Sequence, residues 1–262
     1  MIRLKKIFLL PILLATAALS FSNQTSFSIS PLFQELEISP GKSEKASIYV
    51  ANFSPRDIEV DVCIANWTLE EDGSLHFIEE GNPLYSCKTW VAYENQNLFI
   101  PPGKTKVFEY KITVPENTQP GHYWTSISFE NFPKKTEETH LDQIQLKNKI
   151  LTSVFVKVGK GEFSGKIKDI FLHRHERFDE IELTCENQGN FYWRSEGFIQ
   201  IVDPTGNKSD KLELPVELVL PGKTRNIRVM LKNKLNEGSY AIIGVLKLPG
   251  SKIEFEQIFD VK

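Results

Sequence analysis

Beyond its first two dozen residues the chain has no apolar run long enough to cross a bilayer, no segment with a convincing helical period and no basic stripe. A spanning helix needs roughly 20 apolar residues, so no stable membrane insertion is expected once a leader is removed. With a formal net charge of −3 and both signs mixed through the sequence, nucleic acid is not an expected partner. The motifs that announce common chemistries are missing too: there is no Gly-x-Ser-x-Gly elbow, no His-Glu-x-x-His and no phosphate-binding Walker loop. Aspartates and glutamates are plentiful but scattered over polar strand positions, so no carboxylate pair can be picked out as acid and base. No catalytic residue, cofactor or metal is assigned. Of five histidines, His76, His122 and His140 are isolated. His173 and His175 stand two apart near Glu176 and Asp179. On a strand they share a face, but a metal site needs three or four converging ligands, and an exposed charged turn is the simpler reading.

Cysteine is sparse, with three in 262 residues. The N-terminus places them in an oxidising compartment. "MIRLKKIFLLPILLATAALSFS" has a basic start, an apolar run from Ile7 to about Leu19 and then small residues, the pattern of a secretory signal peptide. Residues 1–22 are therefore read as a leader, and a periplasmic or secreted location is expected. No cysteine follows the leader closely, which argues against a bacterial lipid anchor. In such a compartment Cys63 and Cys87, in the same half of the chain, are the expected disulfide pair. Cys185, in "IELTCEN", falls on the same strand face as Ile181 and Leu183 and reads as a buried free thiol.

What the chain does have is alternation. "KASIYVAN", "IEVDVCIANW", "KVFEYKITV", "HYWTSISFEN", "ILTSVFVKV", "FIQIVD" and "SYAIIGVLKL" each read as half-buried strands, rich in β-branched and aromatic residues. Turn signals separate them, including Asp72-Gly73, Asp203-Pro204-Thr205-Gly206 and Asn236-Glu237-Gly238. Short strands at this spacing predict an all-β protein of two immunoglobulin-like β-sandwiches in tandem. A Pro-Gly-Lys phrase occurs three times, at Pro40, Pro102 and Pro221. The last two copies begin longer matching segments: Pro-Gly-Lys-Thr, an alternating strand, a polar turn, Gly-x-Tyr and a second alternating strand. Those segments predict equivalent hairpins in two domains, with Gly121 and Gly238 in the turns and Tyr123 and Tyr240 opening the returning strands. Each tyrosine is either a tyrosine corner or a plain core aromatic.

The glycines of "VKVGKGEFSGKIKDI" mark a boundary, giving a first domain over residues 23–158 and a second over 159–262. Asn131 to Asn148 is polar, without a strand period, and is expected to form a long exposed loop, a length that often accompanies function. Phe191, Tyr192 and Trp193 stand in a row. Three consecutive aromatics on one strand cannot all face one core, which predicts an interdomain contact. The triplets at Asn52, Asn66 and Asn207 match the short glycan-acceptor pattern.

The order of these features resembles the first domain of periplasmic pilus-assembly chaperones of the PapD type, and related bacterial exported immunoglobulin-like proteins. It rests on the leader, then "FSISPLFQELEISPGKSEKASIYVANFSPRDIEVDVCIANWT", then "LFIPPGKTKVFEYKITVP" and "GHYWTSISFE", and covers roughly Phe27 to Val158. The resemblance implies two sandwiches set at an angle, no enzymatic activity, and a protein partner, a pilin-like or other exported subunit, bound by β-strand addition. The lent strand of that family is the last of the first domain, here "NKILTSVFVKVG". The partner-binding residues it implies are Lys149, Ile150, Thr152, Val154, Val156 and Val158; the alternative is that this strand only completes its own sandwich. The family also holds the subunit's terminal carboxylate with an Arg in the first strand and a Lys in the lent strand. Lys149 or Lys147 matches the Lys, but no Arg or Lys lies between Asn23 and Gly41, so the Arg has no counterpart. Either the capture chemistry differs or the chain is not a pilus chaperone in the strict sense. The alternative reading is a cell-surface or periplasmic adhesive or structural module that binds a polymer or protein through its loops.

Overall fold

A computed structural model describes residues 27–79, 83–131 and 148–262. The leader, Lys147, and nearly all of the expected loop between Asn131 and Asn148 lie outside the described residues. In the first half the strands are β1 (Phe27–Ser30), β2 (Phe33–Glu37), β3 (Ser43–Asn52), β4 (Ile58–Leu69), β5 (Leu75–Ile78), β6 (Val91–Tyr93), β7 (Asn97–Ile100), β8 (Thr105–Thr113), β9 (Gly121–Asn131) and β10 (Asn148–Val158). In the second they are β11 (Gly165–Arg174), β12 (Asp179–Asn187), β13 (Trp193–Arg194), β14 (Glu196–Val202), β15 (Leu212–Glu213), β16 (Leu218–Val219), β17 (Thr224–Met230), β18 (Gly238–Leu248) and β19 (Ser251–Val261). The only helical element among the described residues is a single 3₁₀ turn, Lys88–Trp90. The fold is all-β, as the alternation predicts.

The first sandwich packs a sheet ordered β1-β3-β8-β6 against one ordered β2-β10-β9-β4-β5, with β7 also on β4. The second packs β11-β12-β17 against β15-β14-β18-β19, with a small β13-β16 ribbon beside them. Period-two burial builds each core. Phe108, Tyr110 and Ile112 of β8 face inward between exposed Glu109 and Lys111, and Ile181, Leu183 and Cys185 of β12 do the same in the second sandwich. The first core draws on residues from Phe27 to Val158, the second on residues from Phe163 to Val261.

The first strand changes sheets part way. β1 pairs antiparallel with β3, and β2 then pairs parallel with β10. The crossing falls at Pro31, whose missing N–H cannot continue a ladder. The three Pro-Gly-Lys phrases form one kind of turn. In each, the Lys N–H donates to a carbonyl three residues back, at Ser39, Pro101 and Leu220 (3.0–3.2 Å). The glycine has a left-handed φ of 73°, 66° and 68°, the type II geometry that takes Pro second and Gly third. Tyr123 donates its hydroxyl to the Gln119 carbonyl at 2.9 Å, so it is a corner tyrosine, whereas Tyr240 is buried in the second core.

Candidate functional site

β10 is the strand on which the sequence expectation rests. It pairs with β9 along its whole length, Asn148 opposite Asn131 through Val158 opposite Gly121. On its other side β2 covers only Ser153 to Lys157. The Ser153 N–H donates to the Leu32 carbonyl at 3.0 Å. Because backbone groups on a strand alternate sides, the N–H and C=O of Lys149 and Leu151 point the same way as those of Ser153. No described strand meets them there. Among the described residues β10 is thus paired on both sides in its C-terminal half and on one side only before it.

The expected partner-binding residues divide along the same line. Val154, Val156 and Val158 are fully buried in the core of their own sandwich, because the even-numbered face of β10 turns inward there. Thr152 is buried and donates its hydroxyl to the Pro31 carbonyl at 2.8 Å. Ile150 packs at the margin of the core. Lys149 is on the outward face, where its ammonium meets Glu130 at 2.8 Å and lies over the Phe77 ring, 4.7 Å from the centroid. The outward side chains of β2, the strand expected to carry an Arg, are Phe33, Glu35 and Glu37. Glu37 pairs with Lys157 at 3.1 Å, and Glu35 accepts a hydrogen bond from the Tyr192 hydroxyl.

That last contact crosses between the sandwiches and belongs to a joint the sequence hinted at only through its run of aromatics. Trp193 enters the second core, while Phe191 and Tyr192 close on the first sandwich. A third apolar cluster, separate from both cores, gathers Trp67, Trp124 and Phe155 from the first sandwich with Tyr192, Leu218 and Leu220 from the second. Burying each such side chain contributes about 1.5–3 kcal/mol. Trp124 fixes its indole by donating to the Trp67 carbonyl at 2.8 Å.

Polar ties flank the cluster. His122 at the start of β9 is 4 % exposed, with its ring between Phe191 and Tyr192. Its Nδ1 accepts the Tyr192 N–H at 3.3 Å, and its backbone N–H donates to the Asn190 carbonyl at 2.9 Å. Burial holds the imidazole well below its usual range, at about 4. Across the joint, the hairpin between β4 and β5 docks on β17. The Glu71 carbonyl accepts the Asn226 N–H at 2.7 Å, and the Glu70 carbonyl accepts from the Arg225 guanidinium at 3.4 Å. Arg225 also pairs with Glu217 at 2.5 Å. His122 read as isolated in the sequence, and nothing there singled out Arg225. Only the docking of the second sandwich gives either of them a role.

One expectation is corrected. Cys63 and Cys87 are not joined. Cys63 lies exposed on the outward face of β4, opposite to the inward face of Val60 and Val62, whereas Cys87 is wholly buried in the first core. Burial pushes the Cys87 thiol up, and it raises Cys185, free in the second core, to about 12. His173 and His175 face Glu182 (3.6 Å) and Glu180 (4.0 Å), but Arg228 already sits on Glu182 at 2.6 Å. Among the described residues no group of three or more His, Cys, Asp or Glu is placed to hold a metal ion. Asn52 and Asn66 are buried in the folded chain, so neither offers a surface position for a glycan.

No protein-family model matches the chain, and no curated protein matches it. Among solved structures it is similar to the class 5 fimbriae chaperone CfaA, at 13 % identity over 89 % of this chain and 98 % of that one, with a TM-score of 0.48. It is similar to a chain of a chaperone–tip adhesin complex of CFA/I fimbriae (15 % identity, 90 % and 98 % covered, TM-score 0.47). A third similar structure is the CsuC–CsuE chaperone–tip adhesion subunit complex of archaic chaperone-usher Csu pili from Acinetobacter baumannii (14 % identity, 88 % and 98 % covered, TM-score 0.44). At such identities the likeness is one of overall fold and leaves the site to be read from the chain's own residues.

Proposed function

We propose that this chain is an exported, non-enzymatic binding protein that takes up a secreted or pilin-like protein partner by β-strand addition at β10. The observation that carries the reading is the open side of that strand, where the backbone groups of Lys149 and Leu151 face no described strand while the other side is fully paired. An extended partner segment laid there continues the line of β2 and gains main-chain hydrogen bonds without displacing any described element. Of the expected residues, Lys149, Ile150 and Thr152 border the incoming segment. Val154, Val156 and Val158 lie on the closed half and anchor the strand by their burial. Exposed Leu32 and Phe33, at the end of the open stretch, supply apolar surface for one partner side chain. With no Arg or Lys between Asn23 and Gly41 and with Glu35 and Glu37 on the outward face of β2, capture of the partner rests on the backbone ladder rather than on a cationic pair.

The test is co-expression with exported proteins encoded beside this chain, followed by co-purification and residue-resolved hydrogen exchange. A bound partner is expected to slow exchange at the amides of Lys149 and Leu151 and to leave those of Ile150 and Thr152, already facing β9, unchanged. Leu151→Pro removes an outward N–H that β9 does not use, so it should abolish capture with the sandwich intact. A complex that survives Leu151→Pro, or that leaves both outward amides exchanging freely, would sink the proposal.

A further inference from the structure

The joint between the sandwiches buries polar groups along with its aromatic rings. Among the described residues, four buried polar side-chain atoms without a hydrogen-bond partner lie at it: Trp67 Nε1, His122 Nε2, Arg225 Nε and Asn226 Oδ1. Buried donors and acceptors are nearly always paired, and each exception works against the state that buries it. Separation of the two faces would let water reach all four. The aromatic cluster holds the joint shut, and these groups oppose it.

His122 ties that balance to the proton. Its one used ring nitrogen is an acceptor, Nδ1, taking the Tyr192 N–H. An imidazolium has a proton on Nδ1 and can only donate, so protonation sets two N–H groups against each other and leaves a charge buried between Phe191 and Tyr192. The groups around it do not compensate. Glu35 on β2 favours the charge, but its carboxylate already accepts from the Tyr192 hydroxyl. Lys157 on β10 opposes it. Arg194 on β13, Glu196 on β14 and Lys247 on β18 line the same cleft with both signs, and Glu162 in the connection meets Asn190 through its backbone N–H. Tyr123, the neighbour of His122 on β9, brings no charge to the joint at neutral pH. The only covalent link between the sandwiches runs through Gly159, Lys160 and Gly161, and Gly159 has a left-handed φ of 63°, a segment suited to absorb a rotation.

We propose that this joint is a hinge, closed while His122 is neutral and opened when His122 takes a proton, with the sandwiches parting as intact bodies about the Gly159–Gly161 link. Opening lifts Tyr192 from Glu35 and Phe155, and so from both β2 and β10. The hinge stands whether or not β10 takes a partner. The direction follows from the burial of the ring: the closed form holds the proton more weakly than an open, hydrated His122. Closure is therefore fully favoured above the ordinary histidine range and lost as pH falls from there toward about 4.

The experiment is small-angle scattering of the purified chain from neutral pH to about 4, with far-ultraviolet circular dichroism on the same samples and the His122 ring followed by NMR. The expected result is a growing radius of gyration with strand content unchanged, its midpoint coinciding with the protonation of His122. His122→Asn places an uncharged amide oxygen near the Nδ1 position and should stay closed over the same range. A radius that does not change, a rise that coincides with loss of strand content, or midpoints that differ in the unsubstituted chain would overturn the hinge. So would a His122→Asn chain that opens as the unsubstituted one does.

Discussion

Asn52 and Asn187 occupy the same place in the two sandwiches and make the same three side-chain hydrogen bonds. Each ends a strand, β3 or β12, beside a Pro-Gly-Lys turn. Asn52 Oδ1 accepts the Ser54 N–H at 2.8 Å, and its Nδ2 donates to the carbonyls of Arg56 and Ile100 at 2.8 and 2.9 Å. Asn187 Oδ1 accepts the Gly189 N–H, and its Nδ2 donates to the carbonyls of Phe191 and Val219, all at 2.9 Å. The backbones agree as well. Gly103 and Gly222 donate to the Asn52 and Asn187 carbonyls at 3.0 Å, and the two asparagine N–H groups return to Lys104 and Lys223 at 2.9 Å. In each domain one amide thus fastens the type II turn to the loop after the strand.

Replacing either asparagine is expected to destabilise its own sandwich and not the other. Both side chains are at most 1 % exposed, so Asn52→Ala or Asn187→Ala removes three hydrogen bonds made from a buried amide, a loss of about 2–4 kcal/mol. Asn→Asp keeps the acceptor but meets two carbonyls with a carboxylate, and should cost at least as much. Urea unfolding followed by a domain-specific probe checks this. Equal loss in both sandwiches from one substitution would contradict the duplicated lock.

These asparagines mark where legibility ends. The strands, the two cores and the equivalence of the turns at Pro102 and Pro221 were readable because period-two burial and type II turns are local rules, satisfied within a few residues. Asn52 was visible only as part of a glycan-acceptor pattern, since the turn it fastens reaches it through Ile100, 48 residues away. The run Phe191-Tyr192-Trp193 did signal an interdomain contact, because the rule it breaks is also local. His122 and Arg225 carried no signal, as their neighbours arrive from the other sandwich. The open half of β10 depends on how far β2 extends alongside it, and no pattern within β10 records that.

The connection between the sandwiches depends on two glycines with no room for a side chain. A Cβ on Gly161 would lie 1.6–1.7 Å from ring atoms of Phe191, and one on Gly189 would lie 2.3 Å from the Glu162 carbonyl oxygen. Gly161→Ala must push Phe191 off His122, whereas Gly189→Ala must shift backbone. Overpacking of this kind costs about 1–3 kcal/mol, and the Gly189 change should be the worse of the two. Gly103→Ala is the contrast. It meets no atom within 4 Å, so its penalty comes from the left-handed φ alone, about 1–2 kcal/mol. Thermal denaturation of the three variants should show the largest loss for Gly189→Ala.

The cysteines provide a chemical check on the sheet geometry. A thiol-reactive dye added to the native chain should label Cys63 alone, since Cys87 and Cys185 are buried and held in the unreactive thiol form. Full labelling of all three should appear only in denaturant, and the migration of the unlabelled chain should not depend on reductant. If Cys63 resisted the dye in the native chain and reacted only after reduction, β4 would not present its odd-numbered residues outward.

Arg225 tests whether the docking hairpin contributes to the joint independently of His122. Its guanidinium is packed under Gly73, paired with Glu217 and bonded to the Glu70 carbonyl. Because Glu217 remains about one-third exposed, truncation does not strand a fully buried charge. Arg225→Ala should therefore weaken interdomain docking by about 1–3 kcal/mol rather than the larger loss of a broken buried pair. Neither core contains Arg225, so each sandwich should keep its own stability. The expected calorimetric result is that one cooperative transition separates into two, with earlier proteolytic cleavage in the Gly159–Ser164 connection. A single transition shifted as a whole would place Arg225 in the stability of the second sandwich instead, which its pairing with Glu217 on the same domain could also produce. Comparison with Glu217→Ala, which removes that pairing and keeps the bond to Glu70, separates the two outcomes: only Arg225→Ala should split the transition.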